Sequence, residues 1–159
     1  RSFWQEAGVV ARTYSADWSR ETIEVADIST TTGLVVELDT DDDGTFSTTL
    51  TEGTDFQLTP HNAALETPVR PYDTIEMLGT YLIPQTRRPG IRVTARYGWP
   101  AIPDQVVAAA TIQAKNVYKV TGAGVFGSMQ VGLDGLAMRI PALDYVAIGM
   151  LEPFRKVEL

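Results

Sequence analysis

The hydrophobic period of this chain changes once, at "YGWPAIPD", and that change limits the folds open to it. Up to about residue 98 apolar residues recur every second position in short runs: "TIEVADI", "LVVEL", "TFSTTL", "DFQL", "TIEML" and "IRVTARY". A period of two over four to eight residues, broken by Gly, Pro, Asp and Thr, marks half-buried strands. Six such runs predict a small antiparallel sheet or barrel. After Pro100 the period becomes 3.6. Pro103 stands where a first helical turn tolerates proline, and Asp104 faces the positive end of the dipole. The run "PDQVVAAATIQAKNVYKV" is therefore expected to be a helix that stops near Gly122.

That helix has Val107, Ala110, Ala114, Val117 and Tyr118 as its main apolar stripe. Its other face mixes Ala108, Ala109 and Ile112 with Gln105, Lys115, Asn116 and Lys119, so cover on more than one side is expected. A second helix, from about Pro141 to Glu152, is apolar nearly all round and ends at Pro153. Between the helices lies "TGAGVFGSMQVGLDGLAMRI". Its glycines give it freedom, yet it carries Val125, Phe126, Met129, Val131, Leu133, Leu136 and Met138. Two readings stay open, ordering against a partner and a hairpin folded over the core. The boundaries expected are 1–98 for a β-rich region and 99–159 for a helical region with an intervening Gly-rich loop. "RSFWQEAG" reads like the end of an element, so a missing or truncated N-terminal helical segment is expected before Arg1.

Bulk properties exclude several classes. The 159 residues suit one domain, or one domain with a smaller appendage, and no apolar run approaches the length of a membrane span. Without cysteine there is neither a disulfide framework nor thiolate chemistry. The net charge of -7 is uneven: residues 1 to 80 hold 15 acidic and 4 basic side chains, residues 81 to 159 hold 5 and 9. The densest cationic cluster, Arg87, Arg88, Arg92 and Arg96, is thin for phosphate neutralisation, and a solvated strand face explains it as well.

The run "DTDDDG" places Asp39, Asp41 and Asp43 at alternate positions before Gly44, as a calcium loop does. A bidentate glutamate is required at the twelfth position, where Leu50 stands. The flanks are strands and not helices, so an acidic hairpin turn is the favoured reading, with the three aspartates as weak metal candidates. "GAGVFG" fits G-x-G-x-x-G, but a helix precedes it and none follows, which removes the helix N-terminus that would hold a pyrophosphate. His61 is the sole histidine and has no nucleophile motif near it. These residues predict neither an enzyme nor a cofactor. Trp4, Trp18 and Trp99 are either core residues or interface anchors.

Three stretches, "LVVELDTDDDGTFSTTLTEGTDFQLTPHNA", "IRVTARYGWPAIPDQVVAAATIQAKNVYK" and "ALDYVAIGMLEPFRK", together resemble the head-to-tail connector proteins, or adaptors, of long-tailed bacteriophages, particularly those infecting actinobacteria. They cover about half the chain in the expected order. The resemblance implies an α+β fold, a helical connector core with an added small antiparallel β-sheet or barrel region. It also implies a ring, expected as a dodecamer, beneath the portal protein, with a stopper or tail-completion protein as the next neighbour. The genomic DNA would pass through and touch it transiently and non-specifically, and no membrane is involved. Localisation in the virion follows, after synthesis in the host cytoplasm. On this reading Val106, Ala109, Ile112, Gln113, Val125, Phe126, Met129 and Val131 form the subunit interface, and Met150, Leu151, Phe154, Arg155 and Lys156 meet the portal. Net acidity suits a conduit, since each phosphate contact would tighten the wall on DNA. The alternatives are another head-tail ring, stopper or tail terminator, and an extracellular calcium-dependent β-type binding module.

Overall fold

In the computed structural model the described residues are 3–16, 19–122, 130–131, 137–138 and 143–155, with backbone alone for 120–122, 130–131 and 137–138. The chain divides into two compact units, residues 1–101 and 102–159.

The first unit is a six-stranded antiparallel sheet. Its strands are β1 (Val10–Tyr14), β2 (Thr22–Leu38), β3 (Thr48–Leu50), β4 (Phe56–Thr59), β5 (Tyr72–Met77) and β6 (Ile91–Tyr97). The order is β1-β6-β2-β5-β4, with β3 paired to the C-terminal end of β2. Strand β6 shows why this sequence makes sheet. Ile91, Val93, Ala95 and Tyr97 are buried while Arg92, Thr94 and Arg96 are half-buried, the alternation that the pleat imposes. The buried residues from β2 to β6, joined by Ile83, form one hydrophobic cluster, and Ile28, Val36, Leu38, Ile75, Ile91 and Val93 lie at its fully buried centre.

Strand β2 corrects one sequence expectation. "TIEVADI" and "LVVEL" are two runs in the sequence but one strand of 17 residues in the fold. The Thr-rich "STTTG" between them continues the strand, because β-branched threonines fit a pleated surface. Register shifts between Thr30 and Val35 accommodate Gly33, whose φ is +77°. The early part of β2 pairs with β5 and the later part with β6 and β3, so this strand links the whole sheet. Strand β1 had no counterpart among the expected runs.

The second unit holds α1 (Asp104–Gly122), two-residue strands β7 (Gln130–Val131) and β8 (Ala137–Met138) paired antiparallel, α2 (Tyr145–Leu151) and a 3₁₀ turn, Glu152–Phe154. Helix α1 packs against α2. The fold class expected from the resemblance is overturned here. There is no helical connector core: the fold is mostly antiparallel sheet, the helices span 19 and 7 residues, and 23% of the chain is helical. The physical reason lies in burial, since the hydrophobic cluster is built from strands.

Candidate assembly surface

Helix α1 starts where the carbonyl of Pro103 accepts from the amides of Val106 (2.9 Å) and Val107 (3.2 Å), and Asp104 occupies its first turn. Its inner face contains Ala109, which is fully buried, and the half-buried Val106, Ala108, Ile112, Gln113 and Asn116. Asp144 fastens this face to α2. Its Oδ1 accepts from the Val146 amide at 2.8 Å and caps α2, its Oδ2 accepts from Asn116 Nδ2 at 2.7 Å, and its own amide donates to Gln113 Oε1 at 3.1 Å. The Val146 amide, and then the Asn116 amide, hold the Asp144 carboxyl below the usual carboxylate range.

The outer face of α1 is the stripe that a lone helix would be expected to bury. Val107 is 51% exposed, Val117 54% and Tyr118 79%, and Ala110, Thr111 and Ala114 between them are exposed as well. Exposed apolar side chains continue on Ile102, Leu143, Tyr145, Val146, Ile148 and Leu151. Among the described residues the second unit buries three apolar side chains, Ala109, Ala147 and Phe154, and exposes nine large ones; the first unit buries 17 and exposes eight. Among the described residues the second unit therefore exposes more large apolar side chains than it buries, as a face meant for association would.

The sequence-derived interface residues fall on both sides of this division. Val106, Ala109, Ile112 and Gln113 point toward the inside of the second unit. Val125, Phe126 and Met129 lie outside the described residues, and Val131 is described as part of β7. Of the residues expected to meet the portal, Leu151 and Arg155 are exposed and Met150 is half-buried. Phe154 is 7% exposed, so it anchors its own turn, and Lys156 lies outside the described residues. Arg155 Nη1 stands 3.7 Å from Glu152 Oε1, an exposed pair of little energetic weight. Among the described residues no helix is long and apolar enough to cross a membrane.

In the first unit several polar side chains hold turns and strand ends together. Asp39 is buried, with Oδ2 accepting from the Gly44 amide at 2.9 Å and Oδ1 from the Asp43 amide at 3.3 Å. It closes the acidic turn from inside, while Asp41 and Asp43 are exposed, and Asp43 Oδ1 accepts from the Thr45 amide at 2.6 Å. Among the described residues no three acidic or histidine side chains gather to hold a metal ion. His61 is exposed.

Three of the four clustered arginines have partners within the unit. Arg92 makes a bidentate pair with Glu37 at 2.8 and 2.9 Å and lies 4.7 Å from the Phe46 ring centroid, holding the Glu37 carboxyl below its ordinary range. Arg96 donates to the Glu6 carbonyl at 2.7 Å, and Arg88 to the Asp42 carbonyl at 3.4 Å. Arg12 pairs with Glu6 at 2.8 Å and lies 4.0 Å from the ring centroid of Tyr97, whose hydroxyl is pushed up by burial and then by its hydrogen bond with Tyr14. Trp99 is buried, with Nε1 donating to Asp27 Oδ2 at 3.1 Å. Trp4 is exposed. Comparison with known protein families, with curated proteins and with solved structures returns no match.

Proposed function

We propose that this chain is a structural subunit of a bacteriophage head-tail connector, assembling as a ring beneath the portal and around the path of the genome, without catalysis. The observation that carries this reading is the imbalance of the second unit, which among the described residues exposes nine large apolar side chains and buries three. Such a unit is stabilised by burial against copies of itself and a docking neighbour. Charge supports the same division. The first unit carries 15 acidic and 8 basic residues, whereas the second carries five of each, so its apolar faces can meet with little net repulsion. A net negative chain also disfavours tight phosphate binding, as a passage for DNA requires.

On this reading the exposed residues of α1 and α2 supply ring contacts, and Leu151 and Arg155 are candidates for the portal side. The test is electron microscopy of particles with this chain tagged. The expected result is a ring of its density between portal and tail. Absence from the particle would overturn the reading, as would a purified chain that stays monomeric at high concentration and never joins a portal ring; density at a different neck ring would reassign the chain to that ring.

A further inference from the structure

Residues 3–6 lie across the end of β6 as an extended peptide lies on a sheet that recognises it, through main-chain bonds and alternate side chains. The Glu6 amide donates to the Tyr97 carbonyl at 2.8 Å, and the Glu6 carbonyl accepts from Arg96 Nε at 2.7 Å. Every second side chain faces the sheet. The Phe3 ring lies 5.3 Å from that of Trp99, and Gln5 Nε2 donates to Ser29 Oγ at 2.9 Å, while Trp4 between them is exposed. Gly98 has no side chain where the Trp4 carbonyl passes, so the floor of this groove is shaped to a crossing backbone. At its near end Arg12 of β1 donates to Glu6 Oε1 at 2.8 Å.

This strap is joined to β1 with two residues of slack. Val10 stands opposite Ala95 and Glu6 bonds Tyr97, so four steps along the chain match two along β6, and the excess is taken up in a bend at Ala7 and Gly8. Both residues are exposed, and no atom lies within 4 Å of a Cβ built on Gly8. A bend with that freedom can straighten, which lets the strap leave its groove while β1 stays paired. Beside the bend stand Trp4, Val9 and Val10, all exposed in a unit that otherwise buries most of its large apolar side chains. A neighbour reached through the bend would cover them.

We infer that the strap is exchanged between copies, residues 3–6 of one chain filling the β6 groove of a second. The occupant follows from the groove itself: the segment seated in it is this chain's own, and a second copy offers the identical one. Exchange replaces each contact by its equal, which makes it a low-cost route to association. A strap held by so short a bend meets its own groove at roughly millimolar effective concentration, so exchange requires a second copy held close. The inference therefore rests on the reading that copies associate, and it names a segment that passes between them. Burial of Trp4, Val9 and Val10 at the crossing favours the exchanged form.

Isotope-filtered NMR tests this on the native chain. Carbon-13-labelled and unlabelled chains are unfolded together in urea, refolded as an equimolar mixture and concentrated. Exchange gives a filtered nuclear Overhauser contact between the Phe3 ring of one chain and the Trp99 ring of another. On dilution this contact falls and the same contact within each chain rises in its place. Sedimentation of the same samples reports association separately. Copies that associate while the Phe3 to Trp99 contact stays wholly within each chain overturn the exchange and leave association standing. Copies that stay monomeric at the highest concentration overturn both.

Discussion

Gly98 sits at the end of β6 with φ +105°, and the N-terminal segment crosses directly over it: a Cβ built at this position overlaps the Trp4 carbonyl. Gly98→Ala therefore has two costs. A side chain at such a φ costs about 1–3 kcal/mol. Relieving the overlap requires the segment to withdraw, which breaks the Glu6 amide's bond to the Tyr97 carbonyl at 2.8 Å and that of Arg96 to the Glu6 carbonyl at 2.7 Å. These contribute about 1 kcal/mol and about 1.5–3 kcal/mol respectively. Withdrawal also uncovers Trp99, whose ring lies 5.3 Å from that of Phe3. The expected total is about 4–7 kcal/mol, a large share of the ~5–15 kcal/mol that keeps a domain folded.

Two other glycines separate the terms. Gly53 has φ +80° with no neighbouring atom within 4 Å of a built Cβ, so Gly53→Ala carries the backbone cost alone. Gly8 has equally open space and no such φ, and Gly8→Ala should stay within about 0.5 kcal/mol of the native chain. Urea unfolding followed by tryptophan fluorescence and circular dichroism measures all three. In a chain starting at Ala7 the cost of Gly98→Ala should fall to that of Gly53→Ala, since the overlap is gone. If Gly98→Ala costs no more than Gly53→Ala in the full chain, the crossing segment contributes nothing and the reasoning fails.

Asp39→Ala removes the acceptor for two turn amides and should cost about 1–3 kcal/mol in urea unfolding, whereas Asp41→Ala, on the exposed side of the same turn, should stay within about 0.5 kcal/mol. Millimolar calcium should leave the melting temperature of the native chain unchanged; a rise would mean that the turn binds the ion after all. For Asp144 the folded-state pKa lies below the unfolded one, so its stabilising effect is fully present above the unfolded value of about 3.9 and is lost as pH falls through the folded value. Acid titration of the Val146 amide by NMR should show α2 losing its cap over that window, and Asp144→Asn, which keeps an acceptor oxygen without charge, should flatten the response.

Local pattern was legible where one side chain follows the next along an element. "IRVTARY" became β6 at the expected residues and "PDQVVAAATIQAKNVYKV" became α1, because periodicity records which positions meet the interior. What the period leaves open is which apolar face finds a partner. On α1 the stripe with Val107, Val117 and Tyr118 is the more apolar by composition, yet the other face turns inward. Gln113 and Asn116 there reach Asp144, a contact formed only once α2 is in place. Polar residues whose partner lies some 30 positions away give no local signal. Strand β1 was missed for a related reason, since "VARTY" is short and only Arg12 and Tyr14 are half-buried. The helical core failed because the resemblance carried an architecture, whereas burial follows the strands.

Salt offers a way to decide what drives association. The first unit carries 15 acidic and 8 basic residues, so bringing copies together concentrates like charge, while the second unit, with five of each, adds none. Raising ionic strength from about 0.1 M to about 1 M shortens the screening length from about 10 Å to about 3 Å and weakens that repulsion. Apolar contacts lose nothing by this. If the exposed faces of α1 and α2 hold copies together, the sedimentation-measured association should tighten with salt, and sodium sulfate, which strengthens apolar burial, should act more strongly than sodium chloride. Association that instead loosens steadily with salt would locate the driving force in ion pairs, and the apolar surface of the second unit would then need another explanation.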